Sequence, residues 1–100
     1  MTREHIPQQV EAIAEEFSPD VVRIEWDIGE DWADIESLLF LIVVSDASAN
    51  NRGGLFEMTQ AVKHRLHEAF SGLRMPMYYE CHTVSRRAKK EAELRRVCQP

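Results

Sequence analysis

Cysteine is scarce in this chain. Its two thiols, Cys81 and Cys98, are far apart in sequence, the second almost at the C-terminus. That spacing excludes a disulfide framework and a cysteine-based zinc knuckle, and predicts two reduced thiols in a reducing compartment. No apolar run approaches the ~20 residues that a membrane-spanning helix needs. The first residues, MTREHIPQQ, lack the apolar core of a signal peptide. A cytoplasmic protein that engages no membrane is expected. Glycine-rich phosphate signatures are missing too: "NNRGGL" is not the Gly-x-x-x-x-Gly-Lys-Ser/Thr pattern.

What is present describes one domain, residues 1–100. The apolar share of 44% is ordinary for a globular chain and gives it a modest core. Net charge is −5, unevenly spread: "RRAKKEAELRR", residues 86–96, carries six basic and two acidic side chains, leaving −9 for the rest. An acidic body repels phosphates and argues against nucleic acid as a partner. The basic tail can meet an acidic surface, its own or a partner's.

Periodicity supplies the elements. Ile6, Val10, Ile13, Ala14 and Phe17 form one helical stripe, with Pro7 in the first turn and Ser18-Pro19-Asp20 as the stop, so a helix is predicted over 7–17. Val22, Ile24, Trp26 and Ile28 alternate with Arg23, Glu25 and Asp27, the pattern of a strand with one wet face. This facing predicts a buried Trp26 and a more exposed Trp32 in the Gly29–Asp34 turn. Residues 35–44 read as a second strand without alternation, a strand covered on both faces. "SDASANNRGG" reads as loop. A second helix runs from Leu55 with Val62, Leu66 and Phe70 on one face, and Gly72 marks its end. Met75–Val84 is the third strand, and Ser85 is the expected cap of a last helix over 86–97 with a thin apolar stripe. The order α-β-β-α-β-α implies an α+β two-layer sandwich with a three-stranded mixed sheet, order 1-2-3.

Helices one and two cover one sheet face. The other then carries Glu25 and Asp27, a greasy stripe from strand two, and Tyr78, Glu80 and His82. An apolar stripe flanked by charges is the composition of a partner surface or of the seat of another helix. The residues expected to carry it are Leu39, Leu41 and Val43, with Tyr78 and Trp32 at the edge.

Three chemistries compete with that reading. Glu25, Asp27 and Glu80 could hold Mg²⁺ in the manner of a nucleotidyltransferase, but no small-residue turn opens a helix before the carboxylate strand. A solvated strand face accounts for the acids without catalysis. His64 and His67 have metal-binding spacing, yet both point away from the Val62–Leu66 stripe, as on any wet helix face. The element order is similar to KH-type RNA-binding folds, but the G-x-x-G loop is missing and the charge is of the wrong sign. No catalytic residue, cofactor or metal is therefore assigned.

One resemblance covers residues 21–94. Gly29-x-Asp31-Trp32, Leu39-Phe40, "SDASA" after Val43-Val44, and "YYECHTVSRRAKKEAEL" resemble a family of small uncharacterised bacterial proteins. Members share a G-x-D-W turn, an apolar strand ending in V-x-S-D, and an aromatic third strand running into a charged helix. Glu80 and His82 depart from that pattern. The resemblance implies no activity. It does imply a gene pairing with a small helical protein, reminiscent of toxin–antitoxin modules. The expectation is a non-enzymatic interaction domain, an antitoxin-like partner of another protein or of itself. A homodimer would form sheet against sheet or by swapping terminal helices.

Overall fold

A computed structural model describes residues 3–30, 33–50 and 52–98. After a short 3-10 turn come α1 (Ile6–Glu16), β1 (Val21–Glu30), β2 (Glu36–Val44), a one-turn α2 (Asp46–Ala49) and α3 (Arg52–Phe70). A second 3-10 turn (Ser71–Leu73) leads to β3 (Met77–Thr83) and α4 (Val84–Cys98). The sheet has the order β1-β2-β3, with β1 and β2 antiparallel and β2 and β3 parallel. The fold is the α+β sandwich expected from the sequence. Among the described residues no helix is long and apolar enough to cross a membrane.

The core lies between α1, α3 and one sheet face. Ile6, Val10 and Ile13 of α1 and Val62, Leu66 and Phe70 of α3 are buried against Leu38, Phe40, Ile42 and Val44 of β2. The Phe40 ring sits between Phe70 (centroids 5.4 Å apart) and Tyr79 (5.7 Å), which joins β2 to both neighbours. On the outside, Arg65 of α3 donates to both carboxylate oxygens of Glu16 on α1 at 2.9 and 2.8 Å.

Four local expectations are corrected. The pairing of β1 with β2 slips between Val21 and Arg23, so Val21 enters the core and Val22 is turned out to solvent. Trp26 faces the helix layer, paired with Phe40, yet it is 37% exposed rather than buried. It lies on an edge strand and lines an open cleft beside Pro7, Val10 and Ala14 of α1. The loop "SDASANNRGG" contains α2, because Ser45 caps it: its Oγ accepts from the Ser48 N–H at 3.2 Å. After α3, Arg74 and not Gly72 takes the left-handed conformation, with φ of 55°.

Candidate functional site

The face of the sheet away from α1 and α3 is built from three rungs, set by strand register. The upper rung is Arg23–Val43–His82, the middle one Glu25–Leu41–Glu80, and the lower one Asp27–Leu39–Tyr78. Each rung places an apolar β2 side chain between polar side chains of the outer strands, because alternation on β1 and β3 sends their charged sets this way.

α4 covers the upper rung. It starts without a break from β3, and its first turn is fastened at two points. Thr83 Oγ1 accepts from the Arg86 N–H at 3.1 Å, and Asp46 of α2 accepts from the Ser85 N–H at 3.2 Å and from the Ser85 hydroxyl. The cap expected of Ser85 is therefore made by Thr83, while Ser85 lies inside the helix. These bonds from Ser85 hold the Asp46 carboxyl below its usual range. Under the first turns of α4, Val43 is 0% exposed and the His82 side chain is buried. Val43 is thus removed from the expected interaction surface.

The middle rung is half covered. Arg87 of α4 donates from Nε and Nη2 to the two carboxylate oxygens of Glu25, both at 3.0 Å. Arg23 adds a bond to Glu25 at 3.2 Å, and Glu91 lies 3.4 Å from Arg87. The Arg87 guanidinium holds the Glu25 carboxyl below the usual carboxylate range. Leu41 beneath this pair is half-buried.

The lower rung is open. Leu39 is 39% exposed and Tyr78 is 45% exposed, and together with Leu41 they floor a groove walled by Asp27, Glu80 and Arg87. Of the residues expected to form the surface, the structure therefore brings Leu39, Leu41 and Tyr78 together. Trp32, like Asp31 of the G-x-D-W turn, lies outside the described residues.

His82 has an unusual place. Its Nε2 is 3.7 Å from Glu80 Oε2, and its buried Nδ1 has no hydrogen-bond partner among the described residues. Burial, reinforced by the nearby charges of Arg86 and Lys90, pushes its pKa down, so the ring is held neutral.

The competing chemistries find less support in the geometry. Glu25, Asp27 and Glu80 do share the face, but both oxygens of Glu25 are bound by Arg87. Among the described residues, no group of three or more His, Cys, Asp or Glu is placed to hold a metal ion. His64 and His67 are exposed on α3, and His64 pairs with Glu68 at 2.8 Å. The groove beside the start of α3 contains Asp20, a carboxylate that would oppose an anion there.

Sequence reasoning missed the Arg87–Glu25 clasp, although the segregation of a +4 tail from an acidic body was its visible trace. No protein-family model, curated protein or solved structure matches the chain.

Proposed function

We propose that this chain is a non-enzymatic interaction domain of the cytoplasm that binds another polypeptide through the lower rung of its outer sheet face. Its role would be that of an antitoxin-like partner, as the resemblance to paired bacterial proteins implies. One observation carries the reading. On the upper rung Val43 and His82 are buried beneath α4, while Leu39 and Tyr78 stand exposed in a groove with carboxylates on both flanks. Burying a large side chain is worth about 1.5–3 kcal/mol, so a partner that covers both gains substantially. Asp27 and Glu80 would then remain at the rim, where charges select partners more than they add affinity. Binding rather than catalysis is favoured because the carboxylate best placed to begin a metal site, Glu25, is neutralised by Arg87.

The test is site-specific photocross-linking in the native cell, with the reactive residue at position 78 or, as control, at position 56. Phe56 is an exposed aromatic on α3, on the opposite layer. A discrete adduct from position 78 that Leu39→Lys abolishes, with none from position 56, is expected. Equal adducts from both positions, or none from either, would overturn the reading.

A further inference from the structure

β1 is an edge strand, and its register with β2 shows which of its backbone groups face outward. Ile28 lies opposite Leu38. The Leu38 N–H donates away from β1, to the Pro76 carbonyl at 2.9 Å, and the Ile28 N–H donates to Oδ1 of its neighbour Asp27 at 2.8 Å. This pair therefore exchanges no bonds between the strands. Antiparallel pairs alternate between bonded and unbonded, and the register runs without a shift from Arg23 to Glu30. Trp26 opposite Phe40 and Ile24 opposite Ile42 are then unbonded pairs as well, so their N–H and C=O groups point to the open edge of the sheet.

The side chains of the same two residues turn toward the helix layer and line the cleft between β1 and α1. Apolar surface thus lies beside a row of outward-directed backbone groups, the combination that an extended peptide uses when it adds to a sheet. The rim of the cleft is acidic. Glu11 and Glu15 are exposed on α1, and among the described residues no lysine or arginine pairs with either. Arg23, which also lines the cleft, is bonded to Glu25. The usable edge is short: the bulge at Val22 ends it on one side, and the Asp27 bond to the Ile28 N–H ends it on the other.

We propose that the edge of β1 from Arg23 to Trp26 takes an extended segment of a partner polypeptide as an added strand. An apolar side chain of that segment enters the cleft beside Ile24 and Trp26, and a lysine or arginine on each side of it meets Glu11 and Glu15. The site is separate from the lower rung, which lies on the other face of the sheet, and does not depend on it. A second copy of this chain is the poorer occupant. Pairing β1 with β1 about a two-fold axis puts both helix layers on the same side of the joined sheet, and so sets Glu11 and Glu15 of one α1 against the same carboxylates of the other.

Amide hydrogen exchange of the full chain, read by NMR with two end-blocked peptides at millimolar concentration, tests the proposal. The probes are Lys-Val-Leu-Val-Lys and Glu-Val-Leu-Val-Glu, in which alternation puts the leucine and both charged residues on one face. The lysine peptide should slow exchange of the Ile24 and Trp26 amides several-fold and leave those of α3 unchanged. The glutamate peptide should bind roughly fivefold more weakly, since two exposed ion pairs are lost. Glu11→Lys combined with Glu15→Lys should reverse that preference; both positions are exposed, so the variant should fold, which circular dichroism would establish. Leu39→Lys should leave peptide binding as it is. No slowing at Ile24 and Trp26, or a preference between the peptides that the double variant does not alter, would overturn the inference. Slowing at Ile24 and Trp26 in the chain alone as its concentration rises would put a second copy at the edge and overturn it too. None of these results bears on the lower rung, which position 78 reports.

Discussion

Arg87 closes on Glu25 across 62 residues of chain, with two bonds of 3.0 Å that tie α4 to β1 over the top of β2. It carries α4 past its neighbouring strand to the far edge of the sheet. The geometry needs a planar fork, so lysine is a poor substitute. Arg87→Ala should destabilise the domain by roughly 1 kcal/mol, since the pair is only partly shielded from solvent. Hydrogen exchange of the α4 amides should accelerate while the core amides of α3 stay protected. Uniform acceleration across both helices would mean that α4 is not a separately opening unit.

His82 should make the seat of α4 sensitive to acid. Arg86, Lys90 and Arg87 face it from α4 and disfavour its protonation, with Glu80 on its own strand opposing them. Because its pKa is lowered on folding, the unfolded chain takes up the proton first. The stability that depends on a neutral His82 is complete above about pH 6.5, the ordinary histidine value. It is lost as pH falls from there toward the depressed folded value. The melting temperature should drop over that window, and His82→Leu should flatten the drop. An unchanged slope in the variant would assign the acid sensitivity to the carboxylates.

Val43 and Leu39 differ by four positions on one strand and should behave oppositely. Val43→Lys places a charge under α4, and an unpaired buried charge is among the most destabilising changes known. Leu39→Lys places the same charge in an open groove and should change stability by less than about 0.5 kcal/mol. Urea unfolding of the two variants under monomeric conditions checks the contrast. Similar losses would mean that the lower rung is covered as well.

Phe70 is fully buried at the end of α3 and packs its ring at a tilt against Phe40. Phe70→Ala should cost about 3–5 kcal/mol, enough to unfold a chain of this size at ordinary temperature. Phe56→Ala, on the wet side of the same helix, should be close to neutral in thermal melts.

Much of the fold was legible because periodicity reports burial directly. Alternation from Ile24 to Ile28 gave the facing of β1, and the stripe Val62–Leu66–Phe70 gave that of α3. The bulge at Val22 was not legible: it is an irregularity in strand pairing, and Val22 looks as apolar as Val21. Trp26 was placed on the correct face and given the wrong exposure, since periodicity sets direction but not how far a covering helix reaches. The proposed interaction surface was half legible. An apolar β2 flanked by acids was visible, but the sharing of that stripe between α4 and solvent depends on the Arg87–Glu25 pairing and the Asp46–Ser85 bonds, which join residues far apart in sequence.

The central claim, that the Asp27–Leu39–Tyr78 rung is a binding surface, is tested most directly by hydroxyl-radical labelling of Tyr78 in producing cells and in dilute purified protein. Phe56 serves as the internal reference, because it is exposed and on the opposite layer. Tyr78 should label readily in dilute solution and be protected several-fold in cells, with Phe56 labelled alike in both. Equal labelling of Tyr78 under the two conditions would contradict the claim.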